Sequence, residues 1–202
     1  DETDFSSFRW AGSLAVHELY QLENGELACR EPESIANSWK AHQYPLTFDC
    51  THSGISLVER KDGSAVCYTT EDLPDSYRFE ADVSFEEGTH SFGLLLRADP
   101  EKDTGYALNF EPNAHRVEFF MKPRLNYKNF NDEGLNRVFH MTSEKLFHLS
   151  VTVDDTIAVA YIDNKIAFSA RMYSLNGSKL GIYALHGGMK LYNAHISTKQ
   201  TD

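Results

Sequence analysis

Glu80, Arg97, Asn109, Glu118, Arg171, Tyr173 and Tyr183 each belong to a short run that alternates apolar and polar residues, and each falls on the polar side of its run. As a set they cover the chemistry that a molecule with many hydroxyls requires. Carboxylates accept hydrogen bonds, an amide both donates and accepts, and a guanidinium offers five donors in a rigid fork. A phenol ring adds a flat surface for C–H groups. Arg97 and Arg171 rank first, because each follows a strongly apolar run that would pin its backbone. Tyr173 and Tyr183 are the preferred platforms. The alternation places Tyr106 in the core, and Tyr127 and Phe130 lie in a polar loop that could border the site. The expectation is that Arg97 and Arg171 leave the core toward the same polar face as Glu80 and Glu118. The competing reading of these charges is a set of cross-strand ion pairs on a solvated sheet, with no ligand at all.

The elements that must carry these residues are strands. In Tyr77 to Phe85, odd positions are Tyr, Phe, Ala, Val and Phe while even positions are Arg, Glu, Asp and Ser, the period of two of a half-buried strand. SFGLLLRAD, GYALNFEP and HRVEFFMK follow, and after Glu144 so do LFHLSVTVDD, TIAVAYIDN, KIAFSARMY, KLGIYAL and MKLYNAHIST. The intervening segments carry Gly, Pro, Asn and Asp and are mostly too short for crossover helices, so neighbours should pair antiparallel. Asn24-Gly25 marks one hairpin and Asp62-Gly63 predicts a second, between ISLVER and SAVCYTT. A short helix is expected within Ser34 to Gln43. Many short strands with 12% aromatic residues argue for two packed sheets.

Composition narrows the partners. The chain has 202 residues and a formal net charge of -11, which disfavours nucleic acid and anionic membranes, since both are bound through clustered Lys and Arg. A neutral ligand fits better. Cys29, Cys50 and Cys67 are odd in number and read as core or strand thiols of a reducing compartment, with a Cys50–Cys67 disulfide as the lesser alternative. The acidic start DETDFSSF is no signal peptide, so any export signal would belong to a longer precursor. No apolar run has the ~20 residues of a membrane helix.

The segment WAGSLAVHELYQLENGELACREPESI, Trp10 to Ile35, resembles the join in family 32 glycoside hydrolases between a catalytic propeller and a C-terminal β-sandwich, departing from it at His17 and Glu18 where Pro-Arg is usual. SFGLLLRADPEKDTGYALNFEPNAHRVEF and the stretch from LSVTVDD to LHGG are similar to that sandwich and to levan-binding modules, carbohydrate-binding family 66. The resemblance spans roughly Tyr77 to Ile196. It implies an all-β, concanavalin-A-like antiparallel jelly-roll β-sandwich over residues 36–202, with residues 1–35 as a linker and hairpin leaving a catalytic propeller. It also implies a carbohydrate partner, a fructan or terminal fructosyl unit. If the chain belongs to a levanase it would be secreted. The alternative is a sandwich that stabilises or dimerises its parent enzyme and binds no sugar.

No catalytic role is expected for the chain itself. The paired carboxylates of glycoside hydrolysis would come from N-D-P-N-G, R-D-P and E-C motifs, none of which stands intact. Arg97-Ala98-Asp99-Pro100 is assigned to a strand end and its turn. No cofactor is expected. Nine histidines without ligand spacing read as surface or hydrogen-bonded residues, while Asn131-Asp132-Glu133 offers oxygens to a structural calcium.

Overall fold

The computed structural model describes residues 14–39, 42–44, 46–50, 56–58, 63–123 and 135–199. Among them the chain forms β1 (Glu18–Gln21), β2 (Leu27–Arg30), helix α1 (Glu33–Asn37), β3 (His42–Tyr44), β4 (Ser56–Val58), β5 (Ser64–Tyr68), β6 (Ser76–Phe85), β7 (Ser91–Asp99), β8 (Thr104–Glu111) and β9 (Arg116–Lys122). After these come β10 (Leu135–Val138), β11 (Phe147–Asp154), β12 (Ile157–Ile162), β13 (Ile166–Arg171), β14 (Lys179–Leu185) and β15 (Gly188–Thr198). One sheet runs β10-β9-β8-β7-β14-β5. The other runs β13-β12-β11-β6-β15-β3, with β4 also on β15. Every pairing is antiparallel, and the two sheets form the jelly-roll sandwich that the alternation and the resemblance predict. No helix among the described residues is long and apolar enough to cross a membrane.

The core lies between the sheets because alternation sends one set of side chains inward. Tyr77, Phe79, Ala81, Val83 and Phe85 of β6 are all buried, as their spacing predicts. They face Phe92, Leu94 and Leu96 of β7 and Leu108 and Phe110 of β8. Phe92 and Phe110 stack at 5.2 Å between ring centroids, and Phe147 lies 5.1 Å from Phe110. Such aromatic pairs fill the space between the layers and add about 0.5–1.5 kcal/mol each beyond burial. Tyr106 is buried as expected, and its hydroxyl accepts from the backbone N–H groups of Ser174 (2.9 Å) and Leu175 (3.1 Å).

Two local expectations are corrected. β4 belongs to the β15 sheet and β5 pairs β14 in the other, so the runs flanking Asp62-Gly63 are not a two-stranded hairpin. The chain changes sheets there; Asp62 itself lies outside the described residues. Cys50 and Cys67 are joined in a disulfide, leaving Cys29 as the free, half-buried thiol. The segment before Cys50 is drawn onto β5 by the Phe48–Thr69 bridge and by the Asp49 N–H, which donates to the Tyr68 carbonyl at 2.9 Å. The Asn24-Gly25 hairpin forms between β1 and β2, with Gly25 at φ +90°, and the short helix is α1.

This N-terminal segment does not hang free. It lies on the outer face of the β6 sheet. His17 Nδ1 is 2.9 Å from the Tyr161 hydroxyl, Cys29 N–H donates to the Lys165 carbonyl, and Glu31 pairs with Arg78 at 2.8 Å. Burial pushes the Glu31 carboxyl above its usual range.

Candidate functional site

The register of the β10–β5 sheet lines up one row of outward-facing residues across its strands: Val66, Tyr183, Gly93, Asn109, Glu118 and Asn136. Three of the seven expected site residues, Asn109, Glu118 and Tyr183, therefore stand side by side. Tyr183 on β14 donates its hydroxyl to Asn109 Oδ1 at 2.6 Å on β8, reaching over the intervening β7. Gly93 is what permits this. A Cβ there would sit 2.0 Å from the Leu108 carbonyl oxygen and 3.1 Å from the Tyr183 hydroxyl.

Asn109 Nδ2 donates to Glu111 Oε1 at 3.1 Å, and Glu111 Oε2 accepts from Arg116 at 2.6 Å. Arg116 also turns its Nε to Glu118 Oε1 at 3.3 Å. The Arg116 guanidinium is held above its ordinary value, chiefly by the Glu111 bond. The carboxylate and amide at the base of this group are nearly withdrawn from solvent, with Glu118 7% and Asn109 5% exposed, while the Arg116 side chain is 43% exposed. A polar floor beneath an accessible guanidinium and a half-buried phenol can meet both donors and acceptors of a ligand without first being desolvated at depth.

Beside the polar row lies an apolar one. Leu95 and Ala107 are buried on this same outer side, packed with Tyr68, Phe120 and Tyr183. Tyr68 and Phe120 are additions to the expected set, whereas Glu111 and Arg116 stand on the polar side that alternation already gives their strands. The sequence carried a signal for the apolar part, since three consecutive leucines in SFGLLLRAD leave β7 apolar on both faces.

The other expected residues do not share this face. Arg97 occupies a bulge between β7 and its neighbours at φ +47°, which breaks the alternation and swings the side chain to the end of the sandwich. There its guanidinium donates to the Asp155 carbonyl and, at 3.1 Å, to Asn176 Oδ1. It lines a small cleft with Leu73, Tyr77 and Val153, in which the buried Tyr77 hydroxyl makes no hydrogen bond. Glu80 and Arg171 belong by register to the outer face of the opposite sheet, with Tyr173 just beyond β13. The single face expected for Arg97, Arg171, Glu80 and Glu118 is thus corrected to two faces and an end, because sheet membership cannot be read from alternation alone.

Around Glu80 the structure builds a different group. Arg78 Nη2 donates to Glu80 Oε1 at 2.9 Å, His195 Nε2 lies 3.3 Å from Oε2, and His148 sits between Glu80 (3.7 Å) and Asp82 (3.1 Å). A bulge in β15 at Asn193 (φ +53°) aims His195 at Glu80 and lets Asn193 donate to Asp82 at 2.9 Å. The His148 bond, outweighing burial, and the charges of Arg78 and the histidines push Glu80 down to about 2. His148 is raised in turn, first by Glu80. These histidines are hydrogen-bonded, as expected, but they are grouped rather than scattered.

Among the described residues, one set of possible metal ligands converges, Asp49 with Cys50 and Cys67, and both sulfurs are consumed by the disulfide. Asn131-Asp132-Glu133, Tyr127 and Phe130 lie outside the described residues.

A carbohydrate-binding module of family 66 from Bacillus subtilis superimposes with a TM-score of 0.59 at 17% identity, covering 80% of this chain and 96% of that one. Exo-inulinase from Aspergillus awamori gives 0.70 at 11% identity over 98% of this chain. Sucrose-6-phosphate hydrolase from Lactobacillus gasseri gives 0.59 at 10% over 91%. At such identities the likeness is one of fold. The chain spans 38% of the inulinase and 33% of the hydrolase. A search of curated proteins gives no match. The family model described as glycosyl hydrolases family 32 C terminal matches residues 45–198, most of the sandwich just described, and the chain belongs to that family of C-terminal domains.

Proposed function

We propose that the chain is a non-catalytic carbohydrate-binding module that holds a fructan or a terminal fructosyl unit on the outer face of the β10–β5 sheet. The observation that carries this reading is the row Tyr183–Asn109–Glu118 with Arg116 above it, a nearly buried carboxylate and amide tied to an accessible guanidinium and an aromatic ring. The opposite outer face is the poorer candidate, because the N-terminal segment lies on it. The similarity to a family 66 carbohydrate-binding module lends support. Calorimetry of the chain against levan, inulin and fructose tests it. Binding by the parent and a tenfold or greater loss in Glu118→Gln or Tyr183→Phe, about 1.4 kcal/mol or more, is the expected result. No heat with any of the three sugars would sink it.

A second reading has its own observation. In the β1–β2 hairpin, Tyr20 and Ala28 face the sandwich, while Leu19 and Leu27 on the other side are 70% and 76% exposed. An apolar hairpin face of this kind suits docking against a catalytic propeller encoded upstream. The module would then stabilise its parent enzyme. Normal stability and turnover of a parent enzyme lacking residues 14–202 would refute this role and leave sugar binding untouched.

A further inference from the structure

The sequence contains one Asn-x-Ser/Thr triplet, Asn176-Gly177-Ser178, with a residue other than proline in the middle. The fold leaves it at the surface, in the connection between β13 and β14, with Asn176 and Ser178 both exposed. The middle residue is what anchors it. A Cβ on Gly177 would fall 2.3 Å from both the carbonyl carbon and oxygen of Ala98, so the backbone is pressed against β7 while its two neighbours project outward. Arg97 donates to Asn176 Oδ1 at 3.1 Å. That bond engages the oxygen of the amide, whereas a glycan is attached through Nδ2, so the bond to Arg97 is compatible with the attached sugar. The Ser178 hydroxyl donates to Asp72 at 2.7 Å. A separate observation points to the compartment in which such acceptors are modified: the Cys50–Cys67 disulfide belongs to an oxidising environment.

We propose that Asn176 is an acceptor for an asparagine-linked glycan. The donor class is an oligosaccharide carried on a lipid pyrophosphate. The Nδ2–C1 bond to the first sugar forms as the C1–O bond to pyrophosphate breaks, Nδ2 loses a proton, and the lipid pyrophosphate leaves, with no change of oxidation state. The glycan stands at the end of the sandwich where Lys179 pairs with Ala98, four strand positions from Tyr183. It therefore leaves the Tyr183–Asn109–Glu118 row uncovered, and the proposal does not rest on sugar binding by that row.

The test is to direct the chain into the secretory pathway of a eukaryotic host behind a signal peptide and to examine cells and medium together, so that poor secretion cannot hide the result. The expected product runs as a heavier species that collapses on treatment with an amidase specific for asparagine-linked glycans, with the conversion to aspartate mapped by peptide mass to position 176. Asn176→Gln and Ser178→Ala abolish the shift, whereas Ser178→Thr keeps it. An unshifted parent, or a shift that survives Asn176→Gln, overturns the assignment.

Discussion

Arg97 shows how one backbone angle redirects a side chain's role. At φ +47° it leaves the alternation of β7 and ties β7 to the β11–β12 turn through Asp155 and to the β13–β14 connection through Asn176. It is 9% exposed, so its removal strips charge-assisted hydrogen bonds from a largely buried position. Arg97→Ala should lower stability by about 2–3 kcal/mol in denaturant titration while leaving any sugar affinity within twofold of the parent. A variant that keeps its stability and loses affinity would return Arg97 to the binding face. The sequence offered no warning here. A bulge depends on what the neighbouring strands do, and the residue chosen for the positive φ is not glycine, asparagine or aspartate, which would have flagged it. Asn109, Glu118 and Tyr183 were legible because the pairing of their strands runs without a register shift around these residues.

At the scale of elements, β6 joins β11 and β15 through charge as well as through backbone pairing. Glu80 accepts from Arg78 of β6 itself and lies beside His148 of β11 (3.7 Å) and His195 of β15 (3.3 Å), and its folded value of about 2 lies below the ordinary 4.5. A depressed carboxylate stabilises the fold above the unfolded value and loses that contribution as pH falls through the folded one. Thermal unfolding followed from pH 5 down to 2 should therefore show a progressive loss, on the order of 2 kcal/mol after allowance for partial solvent screening. In Glu80→Gln that part of the acid dependence should disappear. His148 works in the other direction. Its folded value is raised, so its contribution is complete below the unfolded value near 6.5 and is lost as pH rises through the folded one. The paired strands were legible individually from sequence. Their grouping was not, because register across β15 shifts at Asn193 and only that shift brings His195 opposite Glu80.

At the scale of the whole sandwich, the two outer faces are built differently among the described residues. One carries the N-terminal segment, and the other carries the Tyr183–Asn109–Glu118 row. The strand order explains why the sequence misassigned the Asp62-Gly63 region, since hairpin chemistry in a jelly roll also serves where the chain passes from one sheet to the other. Closing a loop of sequence separation 17, the Cys50–Cys67 disulfide should contribute about 3 kcal/mol. Reduction, or a Cys50→Ser/Cys67→Ser pair, should lower the unfolding midpoint accordingly, and an unchanged midpoint would show that the bond constrains little. The most direct test of the module's proposed role is a titration of the labelled chain with a soluble fructan, followed through backbone amide resonances. The account predicts concentration-dependent shifts concentrated on β14, β8 and β9 around Tyr183, Asn109 and Glu118, with little change near Glu80 and His148. Shifts confined to the opposite sheet, or none at saturating fructan, would contradict it.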